Sequence, residues 1–381
     1  MKISQPPFNR VISMIFTELR FLLFFAVVFG IYWSLQRNGW RKAWILLCSY
    51  AFYGAWDWRF LSLIIGSTLV DYIVGLQLGK EETAPGIRRR WLMLSLVVNL
   101  GALAFFKYAN FFATSAVGFF GWLGVPVNSV TLNVVLPVGI SFYTFQTLSY
   151  SLDIYARRLA PRKSLLDLAT FVAFFPQLVA GPIVRASDFL PQLERSRTFS
   201  QINVRACLTL FLTGFFKKAC VSDNLAPIVD RFFADPASFD ALSAWIGVFS
   251  YTTQIYCDFS GYSDMAIACA GLLGYELCIN FNFPYFASSV TDFWRRWHIS
   301  LSTWLKDYLY IPLGGNRGGQ LFTYRNLLIT MVLGGLWHGA AWTFVVWGAL
   351  HGGALVVHRE WRRFAADRFS RRHVLGRSRS S

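Results

Sequence analysis

Five histidines occur in the 381-residue chain, and two stand where an imidazole can exchange a proton away from bulk water. His338 lies in Gly334-Gly335-Leu336-Trp337-His338-Gly339-Ala340-Ala341, inside a 32-residue run (326–357) that contains no Asp, Glu, Lys or Arg. Ionisable side chains at membrane depth are costly and mark functional sites. The small residues beside His338 strip bulk from its surroundings, so a substrate can approach closely. A packing seam between helices, with the histidine bonded to a neighbour, fits the same residues. Position alone leaves both readings open. His298 lies in Trp294-Arg295-Arg296-Trp297-His298-Ile299-Ser300, which also reads as an aromatic and arginine belt at a membrane surface. Arg295 and Arg296 suit a phosphate clamp, although lipid head groups or a cytoplasmic surface account for them more simply. His351 follows His338 by 13 residues, about 220° around one ideal helix, and is expected to face elsewhere. His358 and His373 adjoin a basic terminus. These three are read as structural or exposed.

A second polar cluster is Tyr256-Cys257-Asp258-Phe259-Ser260-Gly261-Tyr262-Ser263-Asp264. In a helix Asp258 pairs with Tyr262, and Ser260 with Asp264, at i,i+4 spacing. Such carboxylates can orient a histidine, bind a cation or cap a broken helix, and a structural role is at least as well supported. Asp71 and Asp153, near the ends of apolar stretches, are read as capping or pairing groups. The motifs of soluble enzymes are absent. There is no G-x-x-x-x-G-K-[ST], no H-E-x-x-H and no G-x-S-x-G, and Gly314-Gly315-Asn316-Arg317-Gly318-Gly319 reads as a flexible loop. The six cysteines show no C-x-x-C and no zinc-like spacing; they read as buried packing thiols. No metal site is expected.

An intramembrane histidine with neither metal nor nucleophile elbow suits general-base catalysis. A neutral imidazole can take a hydroxyl proton as the oxygen attacks a thioester carbonyl, a contribution of ~10²–10⁴-fold. Alignment of the two reactants must supply more.

The elements that position these residues are set by composition. Fifty-five per cent of the chain is apolar, 18% aromatic and only 15% charged, with mean hydropathy +0.43. Soluble globular chains carry roughly 25% charged residues. A soluble enzyme, a disordered chain and a disulfide scaffold are therefore excluded, and an all-α polytopic membrane protein is expected. Candidate spans are 19–35, 43–56, 60–79, 91–106, 132–155, 166–182, 204–221, 244–257, 263–279 and 326–357. The last is one long tilted helix or two meeting near Gly339. Residues 108–152 carry no charge but are broken by Pro126, Pro137 and glycines, which suggests re-entrant or interfacial segments. Residues 280–324 mix aromatics with charges, as amphipathic interfacial helices do. Irregular backbone at membrane depth needs a protein or water-lined cover, so a cavity is expected near both. No cleavable leader is evident, because Glu18 and Arg20 interrupt the first apolar run.

The net charge is +16, and the basic residues fall in short connections. Arg37, Arg41 and Lys42, then Lys80 and Arg88–Arg90, then Arg157, Arg158, Arg162 and Lys163 alternate with loops holding little charge, where Lys107 stands alone. The positive-inside rule then puts the N-terminus outside and the rich loops in the cytoplasm. These charges form no continuous stripe, so no nucleic-acid partner is expected; membrane lipid is.

Six ordered motifs carry a resemblance. They are Phe174-Phe175-Pro176-Gln177-Leu178-Val179-Ala180-Gly181-Pro182, Gln254-Ile255-Tyr256-Cys257-Asp258-Phe259-Ser260-Gly261-Tyr262-Ser263-Asp264, Asn282-Phe283-Pro284-Tyr285, Phe293-Trp294-Arg295-Arg296-Trp297-His298-Ile299-Ser300, Asp307-Tyr308-Leu309-Tyr310-Ile311-Pro312-Leu313-Gly314-Gly315-Asn316 and Gly335-Leu336-Trp337-His338-Gly339-Ala340. Over about residues 15–358 the chain resembles the membrane-bound O-acyltransferase (MBOAT) family. The similarity is to its bacterial branch of alginate O-acetyltransferase membrane subunits and D-alanyl-lipoteichoic-acid transferases. The resemblance implies a ring of about 9–11 transmembrane helices, with re-entrant and interfacial helices, around a central tunnel. It implies His338 and His298 as the family's two histidines, His338 being the principal catalytic position. Asp258, Tyr256, Ser260, Trp294, Arg296 and Trp337 are then supporting or substrate-binding candidates. It further implies no bound cofactor, acetyl-CoA or another acyl thioester as donor substrate, periplasmic polysaccharide acetylation proteins as partners, and the bacterial inner membrane as location.

On this reading residues 1–357 form one transmembrane domain and 358–381 an Arg-rich cytoplasmic tail, where family members usually continue with further spans. A D-alanyl or other acyl transfer to an envelope polymer, an inactive scaffold, and an ion-conducting transporter built on Asp258, Asp264 and His338 are the competing readings.

Overall fold

In lipid an apolar stretch can satisfy its backbone N–H and C=O groups only within itself, which makes helix the default form. A computed structural model describes residues 14–125, 127, 128, 132, 134–179 and 181–377. Among these, every regular element is helical. In chain order they are α1 (Leu19–Ser34), α2 (Asn38–Asp57), α3 (Leu61–Leu78), α4 (Pro85–Leu103), α5 (Ala109–Trp122), α6 (Ile140–Tyr155), α7 (Leu165–Ala173), α8 (Phe175–Leu178), α9 (Ala186–Glu194) and α10 (Val204–Phe215). Then come α11 (Asp223–Ala234), α12 (Ala241–Leu272), α13 (Val290–Arg296), α14 (Ile299–Leu305), α15 (Gln320–His338) and α16 (Trp342–Arg377). They belong to two compact units, one of residues up to 106 with 134–279, the other of 107–133 with 280 onward.

The first unit buries a set of polar side chains within an apolar core that includes Phe21, Ile64, Phe171 and Phe174, and it leaves many large apolar side chains on its surface. Asp71 of α3 is fully buried and accepts hydrogen bonds from Ser95 and Asn99 of α4 and Ser151 of α6. Thr144, Gln146, Thr147 and Ser149 of α6 are buried as well. Leu47, Trp58, Val97, Leu212, Trp245 and Phe249 are exposed. A water-soluble protein sorts these classes the other way; lipid-facing helices bury their polar groups against one another. Two helical stretches among the described residues, Asn38–Leu78 and Pro85–Trp122, are long and apolar enough to cross a membrane. Only 39% and 22% of their most apolar windows are buried, so neither is the covered core helix of a soluble domain.

Expected spans 19–35 and 60–79 coincide closely with α1 and α3. Others are corrected. Spans 244–257 and 263–279 are a single helix, α12, of 32 residues. Polar side chains between them do not interrupt a backbone ladder, and Lys217 and Lys218 of the π turn Phe216–Ser222 neutralise the two carboxylates there. Among the described residues of the span expected over 132–155, helix begins at Ile140, after Gly139 at φ 72°. That at 166–182 is split into α7 and the four-residue α8, because Pro176 has no N–H with which to extend α7. The uncharged stretch after Lys107 opens with a regular helix, α5; Pro126 lies outside the described residues.

In the second unit, 280–319 is a chain of short pieces, α13, α14 and a π turn Lys306–Tyr310, in keeping with the expected break from simple spans. The run 326–357 is two helices, α15 and α16, separated at Gly339–Ala341. They lie backbone to backbone. A Cβ on Gly335 would stand 2.2 Å from the Phe344 carbonyl oxygen, and one on Gly348 2.4 Å from that of Met331. Only glycine allows that approach. α16 continues through Arg377.

Candidate active site

His298 caps the N-terminus of α14 in the left-handed region, at φ 42° and ψ 55°. A bulky side chain pays for that conformation and keeps it only where its surroundings over-determine it. Asn280 does so. Its carbonyl oxygen accepts from Ile299 N–H at 2.8 Å. Its side-chain Oδ1 meets Ser300 N–H at 3.3 Å, Ser300 Oγ at 2.8 Å and His298 Nδ1 at 3.1 Å. A backbone N–H can only donate, so the atom facing it is the amide oxygen. His298 Nδ1 therefore carries the proton and donates it to Asn280. In the neutral ring the lone pair is left on Nε2. His298 itself is fully buried.

His338 is the last residue of α15. Its ring centroid lies 6.3 Å from that of His298, at 61°. Trp337 touches both rings, 5.6 Å from His298 and 5.2 Å from His338. Trp347 of α16 stands edge-on to His338 at 5.2 Å and lies 4.4 Å from His351, whose ring also meets Trp294 at 5.2 Å. Three imidazoles and three indoles thus form one cluster. The spacing of the two principal imidazoles lets one small polar group touch both, the arrangement acid–base chemistry on a single reacting centre needs. The expectation that His351 faces away is overturned. It assumed one helix, whereas the chain reverses at Gly339–Ala341 and α16 carries His351 back.

Of the remaining candidates, Trp294 and Trp337 belong to this cluster. Arg296 is bonded through Nε to Asp292 at 2.9 Å, and that guanidinium holds the Asp292 carboxyl below its ordinary range. Asp258, Tyr256 and Ser260 lie on α12 in the other unit. Asp258 pairs with Lys218 at 2.5 Å, the Lys217 ammonium sits 5.6 Å from the Tyr256 ring centroid, and Ser260 is buried. Lys218 also binds Asp223 at 2.7 Å, and Asp264 binds Lys217 at 2.7 Å, so these carboxylates bind lysines of the neighbouring helical turn. The cysteines are mixed: Cys48, Cys257 and Cys269 are buried as expected, whereas Cys220 and Cys278 are exposed. Sequence reasoning gave Ser300 no role, although it stands two residues after His298 in the same motif, and missed Asn280, 18 residues from that histidine. It also passed over Trp347, although Trp347 and His351 stand at i,i+4, a pairing legible once α16 is taken as a separate helix.

Comparison with known proteins points the same way. The model of the MBOAT, membrane-bound O-acyltransferase family matches residues 91–376. A probable alginate O-acetylase AlgI of Azotobacter vinelandii is 46% identical over 358 residues, covering 93% of this chain and 70% of that protein. A peptidoglycan O-acetyltransferase of Helicobacter pylori is 41% identical over 384 residues, covering 92% and 72%. A teichoic acid D-alanyltransferase of Streptococcus thermophilus is 28% identical over 256 residues, covering 62% and 60%. The chain spans about two thirds of the length of such relatives. With a family match over three quarters of its residues and an all-helical structure, this chain belongs to the membrane-bound O-acyltransferase family.

Proposed function

We propose that this protein is an O-acetyltransferase of the bacterial inner membrane that acetylates hydroxyl groups of an exported polysaccharide such as alginate. The observation that supports this most is the approach of His298 and His338, 40 residues apart in the chain, to a ring separation of 6.3 Å among tryptophans. His338 acts as general base. It takes the acceptor hydroxyl proton as that oxygen attacks the acetyl carbonyl of a thioester, acetyl-CoA by this reading. The tetrahedral adduct expels the thiolate, which recovers the proton from the His338 imidazolium. The products are an O-acetyl ester and a free thiol. His298, its Nδ1–H tied to Asn280, keeps a fixed ring beside the reacting group and positions the acceptor. Multiple helices around a tunnel would let a cytoplasmic donor meet an acceptor handled on the other side, with periplasmic acetylation proteins taking the product onward. Acetyl is favoured over D-alanyl transfer by the contrast between 46% and 28% identity to the respective relatives.

The test is replacement of each histidine by alanine in the producing cell. Both His338→Ala and His298→Ala should lower O-acetyl content of the exported polymer at unchanged protein level, His338→Ala by ~10²–10⁴-fold, the range of a lost general base. Wild-type acetylation in His338→Ala refutes the mechanism.

A further inference from the structure

The last residues of a helix leave carbonyl oxygens without intrahelical donors, and α15 ends at His338. Two of these carbonyls are held from outside their helix. Tyr108 Oη donates to Leu336 O at 2.7 Å, and Lys107 Nζ donates to Trp337 O. The ammonium also lies 5.5 Å from the Trp337 ring centroid and 5.7 Å from that of Tyr108. Both residues end the π turn Ala104–Tyr108. The added residue of a π turn rotates the subsequent side chains by roughly 100° relative to an unbroken α-helix. That rotation gives the turn its aim.

The bonded oxygens are informative. Trp337 O belongs to the peptide unit whose nitrogen is that of His338, and Leu336 O to the unit leading into Trp337. Fixing those two planes fixes the direction of the Trp337 Cα–Cβ bond and the positions of the His338 nitrogen and Cα, the pivot from which the imidazole leaves the helix. A positive charge is favourable at a helix C-terminus. A cation in an apolar setting is otherwise costly, and carbonyl and indole contacts offset that cost.

We propose that Lys107, assisted by Tyr108, is a positioning residue that clamps the end of α15 and so aims the His338 imidazole, with the cation itself part of the clamp. The proposal rests on the acyl-transfer reading for its catalytic consequence. Lys107 acts through His338 and does not touch substrate.

The test uses membranes of producing cells containing Lys107→Met, Lys107→Arg, Tyr108→Phe and His338→Ala, with radiolabelled acetyl-CoA and incorporation into polymer as the readout. Lys107→Met should lower kcat about 30-fold with KM for acetyl-CoA changed less than twofold. Lys107→Arg, which keeps the charge and the donors, should recover to within about fivefold of wild type. Tyr108→Phe should cost about three- to fivefold. Labelling of His338 by diethyl pyrocarbonate, followed by peptide mass analysis, should be faster in Lys107→Met than in wild type. A raised KM with unchanged kcat overturns the proposal in favour of a donor-binding lysine. Wild-type kcat in Lys107→Met, or no recovery in Lys107→Arg, also overturns it. Full activity of His338→Ala sinks the general-base reading instead, and the labelling rate still reports whether the clamp exists.

Discussion

Gly335 offers a perturbation whose size can be worked from distances. It lies three residues before His338, and a Cβ placed on it would stand 2.2 Å from the carbonyl oxygen of Phe344, with backbone atoms of Gly348 at 3.2 Å. A carbon and a carbonyl oxygen approach comfortably to roughly 3.3 Å, so Gly335→Ala must push α15 and α16 apart by about 1 Å. Neither neighbour is a side chain that can rotate away. Overpacking of this kind costs ~1–3 kcal/mol, less up to ~1 kcal/mol from alanine's better helix propensity. Misplacement of a reacting group by about 1 Å costs ~10²-fold in rate. Gly335→Ala should therefore lower the thermal midpoint of the detergent-solubilised protein slightly and acetyl transfer per folded molecule about a hundredfold. Two controls grade the effect. At Gly334 the new Cβ meets only Leu305 Cδ1 at 3.1 Å, a side-chain end that can give, so Gly334→Ala should lose severalfold at most. At Gly353 nothing lies within 4 Å, so Gly353→Ala should match wild type or gain stability. If Gly335→Ala behaves like Gly353→Ala in both measurements, the seam does not set the position of His338.

Asn280→Leu removes the acceptor of His298 Nδ1–H and Ser300 Oγ–H. Each buried donor so stranded costs ~1–3 kcal/mol; chemical denaturation should register the loss, and transfer should fall at least tenfold, with Asn280→Asp retaining more because an acceptor oxygen remains. Asp71→Leu deprives Ser95, Asn99 and Ser151 of one shared buried acceptor. The amount of folded protein in membranes should drop several-fold, with Asp71→Asn between the two, and a wild-type melting midpoint would refute the role given to that network.

Class and family were legible in the sequence because both are written in local terms. A chain with 55% apolar and only 15% charged residues has too few charges to cover a soluble surface, and that is legible without any knowledge of contacts. Short words such as Trp297-His298-Ile299-Ser300 and Leu336-Trp337-His338-Gly339 mark the two histidines. What failed depends on partners distant in sequence. The stretch 258–262, with Asp258, stood between two expected spans, yet Lys218 pairs with Asp258 and Lys217 with Asp264, some 40 residues away in sequence, and α12 runs on. Asn280 stands 18 residues from His298, and only the fold brings its amide to the ring. Lys107 read as a topology signal, because nothing near it in the sequence names Trp337 O as its acceptor.

The residues around His338 supported two readings from sequence, a seam of small residues or space for a reacting group, and the α15–α16 pair shows why they are compatible. Gly335 and Gly348 remove side chains from between the two backbones, and the reversal at Gly339–Ala341 makes the helices neighbours. Close approach on that side brings Trp347 against the His338 ring at 5.2 Å. The seam thereby supplies one wall of the histidine cluster. The same reversal explains why angular bookkeeping placed His351 on the wrong side: helical phase holds only within an unbroken ladder, and between residues 338 and 342 it is reset. A histidine at a helix terminus is then held by whatever fixes that terminus. In this chain the seam holds α15 from α16, and the bonds of Lys107 and Tyr108 hold its final carbonyls.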